Sequence, residues 1–144
     1  MRGMDTKPFE TIVISAVVAS DAKQIWECYT SPEHITQWNF AADSWCCPSA
    51  SNDLREGGRY VARMEAKDGS FGFDFEAQYT EVVPYEKLTY EMADGRKASI
   101  QFAESDGAMR VTIAFDAEHM NPIEMQREGW QAILNNFKSY CERS

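Results

Sequence analysis

Between residues 59 and 115, apolar and polar side chains alternate in successive short runs. The runs are separated by the pairs Asp68-Gly69, Asp94-Gly95 and Asp106-Gly107. A period of two is that of a half-buried strand, and Asp-Gly between two such runs is a hairpin signal. The first run, 59–66, places Tyr60, Ala62 and Met64 on one side. The second, 71–83, places Phe71, Phe73, Phe75, Ala77 and Tyr79 together, with Asp74, Glu76, Gln78 and Thr80 opposite. Leu88, Tyr90 and Met92, then Ala98, Ile100 and Phe102, then Met109, Val111, Ile113 and Phe115 continue the apolar face. Such a series predicts an antiparallel meander with one apolar face, which needs a cover.

The flanking segments supply the remaining elements. Residues 10–18 (ETIVISAVV) are rich in β-branched side chains and read as a strand. Ser20-Asp21 offers a cap to a helix that spaces Ile25, Trp26 and Tyr29 on one side. Ser31-Pro32 starts a second short helix, with Ile35 and Trp38 three apart. The stretch 39–52 is irregular, with a short strand expected at 44–47, and Gly57-Gly58 marks a tight turn. Asn121-Pro122 opens a helix reaching about Arg143, on which Trp130, Ile133, Leu134, Phe137 and Cys141 form one apolar stripe. The fold class is therefore α+β: a curved antiparallel sheet wrapped around a long C-terminal helix, with two short helices after the first strand. The expected organisation is a tail at 1–8 and a single domain at 9–144.

Composition narrows the partners. With 144 residues and 44% apolar side chains, one sizeable core can be built. A net charge of −9 opposes phosphate backbones and anionic lipid surfaces, so neither nucleic acid nor membrane is expected as a partner. No run is apolar and long enough to span a bilayer, and residues 1–7 lack the apolar stretch of a signal peptide. A cytoplasmic location follows as the expectation. Cys28, Cys46, Cys47 and Cys141 fit reduced thiols there, since adjacent Cys46 and Cys47 suit neither a disulfide nor zinc.

Reactive constellations are sparse. His34 and His119 are the two histidines, and neither has a second ligand at local spacing, so no metal site is expected. The glycines of NDLREGGRY lack the Lys-Ser/Thr ending of a phosphate loop, and no Gly-x-Ser-x-Gly elbow occurs. No cofactor is expected. The aromatic face is the informative feature. Phe71, Phe73, Phe75, Tyr79, Tyr90, Phe102 and Phe115 share the sheet's apolar side, while Trp130 and Phe137 face them from the helix. These rings either fill a core or line a pocket between sheet and helix. Tyr60 and Tyr90 bring hydroxyls that need partners when buried, and Met64 and Met92 bring adaptable walls.

The segments IWECYTSPEHITQW, NDLREGGRY, FDFEAQYTEVVPYEKLTYE and GWQAILNNFKSY together resemble the SRPBCC superfamily, the START-like and Bet v 1-like helix-grip proteins. Within it the chain resembles the branch named for homology to the activator of heat-shock-protein-90 ATPase, from about Phe9 to Cys141. The resemblance implies a cavity between sheet and helix, with Trp38, Phe40 and Trp45 at its mouth. The expected ligand-binding residues are Trp38, Phe40, Tyr60, Met64, Phe73, Phe75, Tyr90, Met92, Trp130 and Phe137. The expected function is binding of a small hydrophobic or amphipathic molecule. A cyclase or hydratase would instead need two of Tyr60, Tyr90 and His34 to converge in the cavity. A chaperone-interacting protein would need a contiguous exposed apolar patch.

Overall fold

The computed structural model describes residues 9–144, so the expected tail at 1–8 lies outside the described residues. The order of elements is β1 (Thr11–Val18), α1 (Ala22–Thr30), α2 (Pro32–Trp38), β2 (Trp45–Asn52), β3 (Arg59–Ala66), β4 (Gly72–Val83), β5 (Lys87–Met92), β6 (Lys97–Ser105), β7 (Ala108–Asp116) and α3 (Ile123–Arg143). The strands form one seven-stranded antiparallel sheet in the order β1-β7-β6-β5-β4-β3-β2. The sheet curves around α3, as the alternation and the helical stripe predict. The two short helices carry the chain from one edge strand, β1, to the other, β2.

Local chemistry explains the boundaries. The Asp21 carboxylate accepts the Gln24 N–H at 2.8 Å and caps α1. Pro32 occupies the first turn of α2, where its missing N–H costs nothing. Asp106 and Gly107 have φ of 50° and 82°, so the β6–β7 turn has the twist that a two-residue hairpin needs. Gly58 is required for another reason. A Cβ there would fall 2.0 Å from the Asp53 carbonyl. Its own carbonyl accepts the Tyr79 N–H at 2.9 Å, which ties this turn to β4.

Two elements differ from the sequence expectation. β2 runs from Trp45 to Asn52 rather than stopping at Cys47. Its register shifts between Cys46 and Ser49, so a bulge absorbs Pro48, and pairing then resumes through Ser49–Asn52. An edge strand tolerates proline at such a bulge. At the start of α3, Asn121 is not the cap. Pro122 holds that position without a side-chain bond. The Glu118 carboxylate instead accepts the N–H groups of Met120 and Asn121 at 2.9 and 2.7 Å. Gln126 is buried and donates to the carbonyls of Glu118 and Asn121.

The core lies between sheet and helix. Ile12, Val18, Ile25, Ile35, Leu88, Ile100, Val111, Phe115, Leu134 and Phe137 are its most deeply buried side chains. α3 lies closest to β1 and also meets α1 and α2. The far side of the sheet, β3 to β5, is reached from the helix by long side chains instead. That separation leaves the space described next.

Candidate functional site

A cavity of about 200 Å³ lies between the concave face of the sheet and the three helices. Alternation on β3, β4 and β5 directs Tyr60, Met64, Phe73, Phe75, Tyr79, Leu88 and Tyr90 into its wall. β7 adds Ile113, α1 adds Tyr29, α2 and its C-terminal end add Trp38 and Asn39, and α3 adds Trp130, Ile133 and Leu134. The pairing register places Tyr79 beside Tyr90 and Met64 beside Phe73. Trp130 stacks on Phe115 with ring centroids 4.0 Å apart and planes at 8°, and it meets Phe75 edge-on at 6.5 Å. Trp38 is fixed by a hydrogen bond from its indole N–H to the Cys28 carbonyl at 2.9 Å.

Seven of the ten expected site residues line the cavity: Trp38, Tyr60, Met64, Phe73, Phe75, Tyr90 and Trp130. The structure places the other three elsewhere. Phe137 is fully buried one layer behind, where it supports Tyr29 and Trp38 through edge contacts at 5.1 Å each. Met92 is buried beside Ala77 on β4, beyond the wall. Phe40 is half-buried in the segment after α2, and its carbonyl accepts the Asn136 amide. The rim also differs from the alternation pattern. Phe71 is 60% exposed and Phe73 41%, because the start of β4 runs past the cover of the helix. There the two rings gather with Trp45, at centroid distances of 5.9 to 6.3 Å.

The polar side chains of the cavity wall are four phenols and the Asn39 amide. Four tyrosine hydroxyls, those of Tyr29, Tyr60, Tyr79 and Tyr90, belong to wall residues. Asn39 donates its side-chain N–H to the Tyr60 oxygen at 3.2 Å. Asn52 lies beside the Tyr79 hydroxyl and is held by its own bond to the Thr30 carbonyl at 2.7 Å. Among the described residues, neither Tyr29 nor Tyr90 has a hydrogen-bond partner for its hydroxyl. Burial raises the pKa of all four phenols, and their mutual proximity adds to the effect at Tyr29, Tyr60 and Tyr90. All are therefore protonated at neutral pH: they serve as hydrogen-bond donors and acceptors, and are poor bases.

Tyr60 and Tyr90 thus converge, with ring centroids 6.0 Å apart. His34 does not join them. Its Nδ1 shares a 2.6 Å hydrogen bond with the Tyr140 hydroxyl, which ties α2 to α3 outside the cavity. His119 stacks on Phe9 at 5.0 Å. Among the described residues, no cluster of His, Cys, Asp and Glu could hold a metal ion. No described helix is long and apolar enough to cross a membrane.

Tyr29, Asn39, Tyr79, Leu88, Ile113, Ile133 and Leu134 complete the wall beyond the expected set. Tyr79, Leu88 and Ile113 carry the inward parity of their strands, and Ile133 and Leu134 lie on the helical stripe, so their class was signalled. Asn39 carries no signal, since nothing in a polar residue after a short helix says that it is buried.

Solved structures share this architecture. The AHSA1-like protein of Aeromonas hydrophila is 39% identical, with a TM-score of 0.87 over 93% of either chain. A protein of Cytophaga hutchinsonii is 40% identical, with a TM-score of 0.81 over 92% of either chain. The Aha1 dimer of Colwellia psychrerythraea is 14% identical, with a TM-score of 0.72 over 92% of this chain and 96% of that one, a likeness of fold alone. No curated protein matches the chain. The family described as Activator of Hsp90 ATPase homolog 1-like protein matches residues 19–142. With the helix-grip fold and these relatives, that match makes the chain a member of the Activator of Hsp90 ATPase homolog 1-like family, within the SRPBCC superfamily.

Proposed function

We propose that this protein binds a small, mostly apolar molecule inside the cavity. The observation that carries the reading is the wall itself: an aromatic enclosure of about 200 Å³ into which phenol groups without protein partners are built. The Tyr29 and Tyr90 hydroxyls face the cavity rather than packed protein, so their partner is whatever occupies that space, and an apolar molecule with one polar group suits it. The reading is tested with toluene as probe in protein-observed NMR. Shifts confined to Tyr29, Tyr90, Trp130 and their neighbours are expected. The variant Ile133→Trp, which fills the space from α3, should abolish them while the spectrum stays dispersed. Shifts scattered over the surface, or unaffected by the filling variant, would refute the reading.

A second reading, contact with a chaperone, draws on the family's name and on exposed Phe71 and Phe73, which cluster with partly buried Trp45. It is the weaker of the two, because the cluster is three rings at a rim whereas the cavity is enclosed by strands and all three helices. Stimulation of an Hsp90 ATPase that Phe71→Ser abolishes would reverse that order. Tyr60 and Tyr90 do meet in the cavity, as a cyclase or hydratase would need, but as protonated phenols they supply hydrogen-bond donors that polarise a bound carbonyl and not a base.

A further inference from the structure

We infer that the cavity selects a neutral, single-ring compound bearing an oxygen that accepts hydrogen bonds, and that it refuses the corresponding carboxylate. The inference rests on the binding role proposed above and assigns the chemistry of the ligand.

Three observations carry it. The first is size. A dry apolar cavity of roughly 150 Å³ admits a benzene ring, so about 200 Å³ admits one ring with a short substituent. Molecules of several fused rings exceed it. The second is charge. Among the described residues, no Asp, Glu, Lys, Arg or His lines the wall. An ion entering would lose its hydration, and the cation whose field reaches Tyr90, Arg96, stands outside the wall and is already paired with Asp94 at 2.7 Å. The third is the direction of the hydrogen bonds. The Tyr60 oxygen already accepts from Asn39, so its proton is available to donate elsewhere. Tyr90, 6.0 Å away by ring centroid, has a hydroxyl with no protein partner. Two phenolic donors on one wall match a carbonyl or ether oxygen, which accepts two hydrogen bonds. They match a pure hydrocarbon poorly, because the hydroxyls would stay dry and unpaired.

The experiment compares three probes of similar size by calorimetry at pH 7: toluene, acetophenone and benzoate. Acetophenone should bind at least about tenfold more tightly than toluene, and benzoate should give no detectable heat of binding. Tyr90→Phe removes a hydroxyl that has no protein partner, so folding should survive it. It should lower acetophenone affinity severalfold and raise toluene affinity, so that the ratio between the two probes narrows. Tyr60→Phe is a second variant with the same expected pattern, and its melting temperature reports separately on the loss of the Asn39 bond. If toluene and acetophenone bind equally, or benzoate binds as well as acetophenone, the inference is overturned while the cavity's binding role stands. If none of the three binds, the binding role fails and the inference fails with it.

Discussion

Phe137 and Trp130 lie two turns apart on the same stripe of α3, yet their surroundings differ, and stability should report the difference. Phe137 is fully enclosed between Tyr29 and Trp38. Phe137→Ala should cost about 3–5 kcal/mol through lost transfer energy and a new void. In a domain of this size that lowers the melting temperature by about 10 °C. Trp130 keeps its stack on Phe115 but is half-buried and also borders the cavity. Trp130→Ala should therefore cost less, about 2 kcal/mol by the same reasoning. Equal losses in thermal melts of the two variants would mean that Trp130 is as sealed as Phe137. The stripe was legible in the spacing, whereas the difference in environment was not. Alternation likewise gave Phe71 and Phe73 the inward parity of Phe75, but parity cannot tell where along a strand the helical cover ends. Phe71 is 60% exposed for that reason.

The meander was legible because each of its turns is written in local chemistry. Asp68-Gly69, Asp94-Gly95 and Asp106-Gly107 all fall at hairpins, with glycine φ of 79°, 92° and 82°. The second half of β2 is not legible in the sequence, because Pro48 and a run of small polar residues hide a strand whose bulge only its partner β3 reveals. The start of α3 was also illegible, since its anchor, Glu118, lies ahead of the helix. That carboxylate has its pKa lowered below the usual 4.5, chiefly by the Asn121 backbone bond. A depressed folded value means that the stabilisation is full above about pH 4.5 and is lost as the pH falls through the folded pKa. Glu118→Ala should destabilise the protein at pH 7 by up to about 1 kcal/mol, the net worth of exposed hydrogen bonds in the turn ahead of α3. The gap from the parent should close as denaturation is repeated at falling pH below 4.5. A gap that stays constant down to pH 3 would show that the charge of Glu118 does not matter to α3. At the other side of the helix, Arg127 and Gln131 donate to the Val13 and Ser15 carbonyls at 3.2 Å each. They cover polar groups on the edge strand β1 that would otherwise invite pairing with another chain.

For the molecule as a whole, the acidic surface and the thiols each give a test. A net charge of −9 should keep DNA and RNA from being retained at physiological salt, and sub-micromolar retention in a filter assay would contradict the expectation. The thiols reach further, because they sit in different elements. Cys28 is in α1, Cys47 in β2 and Cys141 in α3, and all three are buried, whereas Cys46 is partly exposed. Burial and the neighbouring Cys28 thiol push Cys141 up to about 12, and burial also raises Cys47. Thiols so placed react only when the structure opens. We propose that residues 9–144 unfold as one cooperative domain. In denaturant without reductant, four thiols should then titrate, as all four cysteines are free. In the native protein, Cys46 should be alkylated first, and Cys28, Cys47 and Cys141 should follow later at one shared rate. That rate should rise with dilute urea in step with global unfolding, because the same opening exposes the first helix, the edge strand and the last helix. Mass-spectrometric mapping of the labelled positions separates the alternatives. Labelling of Cys28 and Cys141 well before Cys47 would mean that α3 leaves the sheet on its own, and the single-domain reading would give way to a core with a detachable helix.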